Sequence, residues 1–274
     1  MSKKVFRNII QFSKSYKTYL IPVFFLGIIF LTFLSIHSNE PLGTSSSSGK
    51  CSQAKESFAV VELFTSQGCS SCPPADKVLA ELSQIHPKKN IFPLSFHVTY
   101  WDYIGWKDPY GNKEFSKRQE RYAYAIGSRL YTPQAVLNGS KDFVGSNRST
   151  ILHAVDSVLA SQSSVSINLK SKITDSSLDI SYTIHCSSEN FDLNLALVEK
   201  GITNSVKRGE NSGKTLSHEN VVREFQTLSK AKKNGSTHIN WNFKGKDLSQ
   251  FTLIAYLQDP QSMKILAANS LSLK

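Results

Sequence analysis

Residues 59–74 read Ala-Val-Val-Glu-Leu-Phe-Thr-Ser-Gln-Gly-Cys-Ser-Ser-Cys-Pro-Pro, and the succession of residue types here decides the fold expectation. Ala59, Val60, Val61, Glu62, Leu63, Phe64 and Thr65 form a short apolar run rich in strand formers, which predicts a strand. Ser66-Gln67-Gly68 breaks it. Cys69 and Cys72 follow, and then Pro73 and Pro74, whose missing N–H groups cost little in the first turn of a helix. Val78, Leu79, Leu82 and Ile85 recur at helical spacing and predict a helix over 75–85. A cysteine at the first turn of a helix faces unpaired N–H groups and the positive end of the dipole, which favour its thiolate. Two intervening residues let the second thiol attack a mixed disulfide formed by the first. Cys69 is thus the candidate nucleophile and Cys72 the candidate resolving thiol.

Working outward, residues 91–98 predict a second strand. Residues 114–126, with Phe115, Tyr122 and Ile126 among charges, predict a second helix. Thr132-Pro133 precedes a strand at 134–137, Asn138-Gly139 is a hairpin turn signal, Phe143-Val144 is the returning strand, and 151–159 closes with a helix. This segment resembles the active-site region of the thioredoxin superfamily. The resemblance implies an α/β thioredoxin-like domain over 58–162. It also implies that Thr132-Pro133 is a cis bond facing the thiol pair and binding substrate backbone, a form open at appreciable frequency only to X-Pro bonds. By the same resemblance Glu62 is the buried acid beneath the active site, carrying a proton to Cys72, although the turn is one residue longer here.

A closer resemblance rests on four motifs in order: VVELFTSQGCSSCPPAD (60–76), HVTYWDYIGWKDP (97–109), RLYTPQAVLNG (129–139) and GENSGKTLSHENVVR (209–223). Together they resemble the motif series of an exported bacterial family catalogued as domain of unknown function 1223, over nearly everything from Phe58 onward. That resemblance implies a thioredoxin-like fold and leaves the substrate open.

The N-terminal side speaks to location. Residues 19–36 carry no charge, and about 18 residues in a helix match the roughly 30 Å hydrocarbon core of a bilayer. Lys3, Lys4, Arg7, Lys14 and Lys17 lie upstream and hold the N-terminus in the cytoplasm. Segment 1–38 is therefore a signal-anchor or transmembrane helix. It places the chain in the bacterial cell envelope, single-pass in the inner membrane with a periplasmic ectodomain, or secreted if the signal is cleaved. Residues 39–57, with Pro41, Gly43, four serines from Ser45 to Ser48, and Gly49, read as a flexible linker. Export places the cysteines where disulfides persist.

Beyond residue 162 the pattern changes. Residues 165–169, 178–184, 193–198, 238–243, 251–257 and 265–273 alternate or run apolar at strand length, and 221–225 adds another strand. Short strands joined by polar turns predict an all-β sandwich over 163–274.

Several other signals bound the chemistry. The net charge of +11 is spread without a basic stripe, which argues against nucleic acid. Gly209 and Gly213 enclose three residues where a phosphate loop needs four, which argues against nucleotide. A zinc site needs a second ligand pair, and Cys51 and Cys186 stand far apart, so no metal is expected; these two cysteines either pair as a second disulfide or remain thiols. Trp101 and Tyr103, in an aromatic-rich stretch over 100–109, read as a substrate recognition wall or as a packed loop. His97 is a proton carrier near the thiols or a hydrogen-bonded core histidine. These signals combine into an extracytoplasmic thiol–disulfide oxidoreductase acting on a protein or small thiol or disulfide substrate. It needs no cofactor, since the thiol pair itself carries two electrons. The alternative is a non-catalytic binding or assembly protein of the envelope with a structural Cys69–Cys72 disulfide.

Overall fold

A computed structural model of the chain describes residues 56–85, 90–186 and 190–274. The expected helix at 1–38, nearly all of the linker at 39–57, and Cys51 with its pairing to Cys186 lie outside the described residues. Among the described residues no helix is long and apolar enough to cross a membrane.

The apolar run after the linker forms β1 (Ala59–Thr65), and the proline pair opens α1 (Pro73–Ile85). β2 (Ile91–His97), α2 (Lys113–Ile126), β3 (Gln134–Leu137), β4 (Lys141–Val144) and α3 (Arg148–Leu159) complete the first half. Side chains cap the two later helices: Asn112 accepts from the Glu114 N–H, and Asn147 from that of Thr150. The second half is strand after strand: β5 (Ser166–Ile173), β6 (Ser177–His185), β7 (Asp192–Glu199), β8 (Ile202–Ser205), β9 (Thr215–His218), β10 (Val221–Leu228), β11 (Asn234–Asn240), β12 (Phe251–Gln258) and β13 (Ile265–Ser272).

The elements assemble differently from the two-part expectation. One eight-stranded mixed sheet runs in the order β13-β12-β7-β10-β2-β1-β3-β4 and takes four strands from each half. β1 and β2 pair in parallel, as do β2 and β10, where Val221 stands beside Ser95 and the Ser95 N–H donates to the Asn220 carbonyl at 2.9 Å. The expected thioredoxin-like α/β domain followed by a separate β-sandwich is therefore incorrect. The protein is mostly β, and its halves share a sheet.

The physical reason lies in β7 and β12. An antiparallel strand with one wet face alternates apolar and polar, whereas these two are buried along nearly their whole length. One face carries Leu193, Leu195, Leu197, Leu253, Ala255 and Leu257 and packs on the three-stranded sheet β11-β6-β5. The other carries Ala196, Val198, Ile254 and Tyr256 and shares a core with Val60, Phe64, Phe96, Phe115 and Tyr122 of the first half. Only the first face is sandwich-like. β1 is two-sided as well: Ala59, Val61 and Leu63 pack on α1 and α3, and Val60 and Phe64 on the α2 side.

Candidate functional site

The loop from β1 to α1 carries the two cysteines. Cys69 and Cys72 are joined by a disulfide. The Cys69 N–H donates to the Ser66 carbonyl, the Cys72 N–H to the Cys69 carbonyl, and the Cys72 carbonyl accepts the Asp76 N–H at 3.1 Å, so Cys72 stands at the cap of α1. Ser71 Oγ lies 3.2 Å from Cys69 Sγ; an oxidised sulfur carries no proton, so the hydroxyl is the donor. Ser70 and Ser71 are exposed, yet both cysteines have a relative exposure of 0%.

Two segments cover them. Residues 99–112 cross over Gly68, where an added Cβ would sit 3.0 Å from Trp101 Cβ and 3.3 Å from Ile104 Cδ1. Ile104 Cδ1 also meets Gly209, at 2.9 Å from a Cβ built there, and the left-handed backbone of Gly209 (φ +76°) favours glycine at that contact. The second segment is the β8–β9 hairpin with its connecting loop, a two-stranded sheet of its own. Asn211 Nδ2 donates to the carbonyls of Gln67 (3.0 Å) and Cys69 (2.9 Å), and Glu210 accepts the Ser70 N–H at 2.9 Å.

Behind the disulfide lies a buried polar cluster. Gln67 is fully buried; its side-chain oxygen accepts from Trp106 Nε1 and Asn204 Nδ2, and its Nε2 lies 3.0 Å from His218 Nε2. Asp108 Oδ2 accepts the Gln67 N–H at 2.7 Å and faces His97 Nδ1 at 2.8 Å. Burial alone would lower the His97 pKa, but the charge and hydrogen bond of Asp108, helped by Asp76, raise it. Burial would raise the Asp108 pKa; His97 and the N–H groups of Gln67 and Tyr110 hold it below the usual carboxylate value. His218 Nδ1 stands 3.5 Å from Asp76 Oδ2, and the rings of His97 and His218 meet edge-on with centroids 4.8 Å apart. His97 Nε2, His218 Nδ1 and Asp76 Oδ1 are buried without hydrogen-bond partners. Among the described residues no group of three or more His, Cys, Asp or Glu is placed to hold a metal ion.

The other candidate residues divide. Thr132-Pro133 is a cis bond, Thr132 Oγ1 accepts from Trp101 Nε1 at 2.7 Å, and the Pro133 carbonyl accepts the Gly145 N–H. Tyr103 stacks on Trp101 and is 82% exposed. Glu62 belongs to another cluster: its carboxylate receives Arg118 Nε at 2.7 Å and Nη2 at 2.8 Å, and the Tyr122 hydroxyl at 2.9 Å. β1 alternation turns Glu62 toward α2, while Val61 and Leu63 meet α1, so its carboxylate is held by these partners. Cys186 lies half-buried at the margin of the core beneath β5 and β6.

A family model described as Protein of unknown function (DUF1223) matches residues 60–258. The chain belongs to the DUF1223 family. No curated protein matches it. A crystal structure of an Agrobacterium tumefaciens protein is 30% identical, with a TM-score of 0.61 over 80% of this chain and 96% of that one. HBP35 of Porphyromonas gingivalis is 13% identical, with a TM-score of 0.58 over 80% of this chain and 76% of that one, a likeness of fold alone.

In this DUF1223 chain the four motif segments meet at one place. The first brings Gln67, Cys69 and Asp76; the second His97, Trp101, Trp106 and Asp108; the third Thr132; and the fourth Asn211 and His218. Gln67, Asp108 and Asn211 escaped the residue-by-residue reading because a neutral amide or a lone carboxylate in a loop carries no periodicity. Their signal was membership in the motif strings. Arg118 had a local one: it stands three residues after Phe115 and four before Tyr122, on the apolar stripe of α2.

Proposed function

We propose that this protein is a non-catalytic binding or assembly protein of the bacterial cell envelope, in which Cys69–Cys72 is a structural bridge. The observation that carries this reading is the complete burial of both cysteines, with two separate chain segments packed on their loop at Gly68 and at the Cys69 carbonyl. Thiol–disulfide exchange requires a nucleophile to approach a sulfur in line with the bond it breaks, and a covered sulfur denies that approach. The bridge instead fixes the loop on which Gln67 and the β8–β9 hairpin are mounted. Export is supported by the charge-free run at 19–36 and by the persistence of disulfides outside the cytoplasm. The contact surface for a protein partner would include Tyr103 and Tyr100, aromatic side chains left exposed beside the covered loop.

One observation favours the competing reading of an oxidoreductase with Cys69 as nucleophile. Cys72 caps α1, which places the pair where a helix start lowers thiol pKa values. The two readings separate when the full chain is equilibrated over a redox series and trapped with an alkylating agent. The structural bridge predicts that Cys69 and Cys72 resist reduction until denaturant unfolds the protein. A reversible couple in the native state, abolished by Cys69→Ser, would establish exchange chemistry and overturn the structural reading.

A further inference from the structure

The β8–β9 hairpin meets the β1–α1 loop mainly through Gln67, with Glu210 on the Ser70 N–H, Asn211 on the Cys69 carbonyl and Gly209 against Ile104 as further contacts. Asn204 of β8 donates to Gln67 Oε1 at 2.8 Å, Asn211 of the connecting loop donates to the Gln67 carbonyl at 3.0 Å, and His218 at the end of β9 meets Gln67 Nε2 at 3.0 Å. The orientation of the Gln67 amide follows from Trp106, because an indole N–H can only donate. Trp106 Nε1 reaches Gln67 Oε1 at 3.1 Å, so Nε2 of Gln67 is the donor toward His218. His218 Nε2 must then accept, which makes the ring neutral with its proton on Nδ1, the nitrogen that lies 3.5 Å from Asp76 Oδ2.

We propose that the β8–β9 hairpin is a lid over the Cys69–Cys72 bridge, latched on Gln67, and that a second proton on His218 releases the latch. The proposal starts from the sealed bridge of the preceding section. A doubly protonated His218 has a donor at Nε2, which faces the Gln67 amide donor across 3.0 Å and loses that bond. It would also stand beside His97, whose imidazolium is favoured by Asp108, with ring centroids only 4.8 Å apart. The groups facing His218 are Gln67 from the β1–α1 loop, Asp76 from α1, His97 from β2 and Tyr110 from the segment after β2. Behind Tyr110 lies the Arg223 guanidinium, itself paired with Glu199 at 3.2 Å. Since the Gln67 amide cannot turn over without losing Trp106 and Asn204, the mismatch is relieved by moving the hairpin. Asn211 and Glu210 then leave Cys69 and Ser70, and the bridge is uncovered.

The test is the rate at which a phosphine reduces Cys69–Cys72 in the native full chain at about pH 7.5 and about pH 5, spanning the histidine range. At each time point the phosphine is removed by rapid gel filtration at the reaction pH before the protein is alkylated in denaturant and read by peptide mass. The latch predicts reduction about tenfold faster at the lower pH, as expected for the loss of one or two hydrogen bonds from the closed state. His218→Gln keeps an acceptor for Gln67 and cannot take up the proton, so its two rates should match. Should that variant not fold, Gln67→Glu offers a carboxylate to the doubly protonated ring and should hold the lid shut at the lower pH. A wild-type ratio near one, or the full acid acceleration surviving in the variants, overturns the latch and leaves the structural bridge standing. Fast reduction at the higher pH overturns the structural bridge, and the ratio still judges the latch.

Discussion

Two buried polar clusters join the halves of this molecule, and they are built on opposite principles. At the α2 side, Arg118 is held in a bidentate ion pair with Glu62, donates to the hydroxyls of Tyr122 and Tyr256 and to Gln258, and lies over the rings of Phe96, Tyr122, Phe225 and Tyr256. At the α1 side, Gln67 is a neutral hook held by Trp106, Asn204, Asn211 and His218. The first cluster crosses from β1 and α2 to β12 through a charge that cannot be discharged. Burial works against that charge, but Glu62, Tyr122 and Tyr256 raise the Arg118 pKa further still. The second crosses from the β1–α1 loop to the β8–β9 hairpin through neutral bonds, with titratable neighbours that leave buried atoms unpartnered. A guanidinium that keeps its charge at every accessible pH makes a permanent fastening. A neutral bond that depends on one histidine tautomer makes a conditional one.

The comparison breaks first at Arg118. Arg118→Met leaves the Glu62 carboxylate buried with only the Tyr122 and Tyr256 hydroxyls as partners, and a buried charge without its counter-charge costs about 3–5 kcal/mol. Denaturant unfolding should show that loss at an unchanged slope. Adding Glu62→Leu removes the stranded charge and should recover much of it, because buried pairs are often replaceable by apolar side chains. A loss below about 1 kcal/mol in the single variant would mean that the two clusters do not differ in kind.

A medium effect is expected at the Asp108–His97 pair. The folded pKa of His97 is raised, so its stabilisation is complete below the unfolded histidine value and is lost as pH rises through the raised folded value. The folded pKa of Asp108 is lowered, so its stabilisation is present above the unfolded carboxylate value and is lost as pH falls through the lowered folded value. The pair therefore contributes fully between the two ranges, and its alkaline decline begins above about pH 6.5. Asp108→Asn should cost about 1–3 kcal/mol near pH 6 and flatten the decline on the alkaline side. Unfolding midpoints measured from about pH 6 to pH 9 decide it. A decline of unchanged steepness in the variant would remove His97 from the account.

The contrast between the clusters also explains what could be read in advance. The β1–thiol pair–α1 order, the hairpin turn at Asn138-Gly139 and the three helices were legible, because each rests on local spacing or turn chemistry. Their assembly was not. The continuous apolar runs of β7 and β12 did carry the information that both faces are buried, but runs of that length also occur in a sandwich core. What distinguishes the cases is a partner on the far face, supplied by α2 and β1 more than seventy residues earlier. The site was half legible for a similar reason. Cysteines and aromatics announce themselves, whereas Gln67 matters only because Trp106, Asn204, Asn211 and His218 arrive around it from two other stretches of chain. Glu62 was legible as buried, and its partner could have been sought on the apolar stripe of α2.

The smallest effect sharpens the comparison most economically. Arg148 Nε of α3 meets Glu81 Oε2 of α1 at 2.6 Å, a shorter contact than either bond between Arg118 and Glu62. If distance governed the energy, this pair would rank first. Its side chains are 55% and 41% exposed, however, so water and salt screen the attraction, and each long side chain loses freedom in making it. Arg148→Ala should therefore change unfolding stability by no more than about 0.5 kcal/mol, and by less in about 0.5 M salt. A loss several times larger would mean that the contact also fixes the packing of α3 on α1. The expected near-silence, set beside Arg118→Met, isolates burial as the variable that separates a fastening from a surface contact.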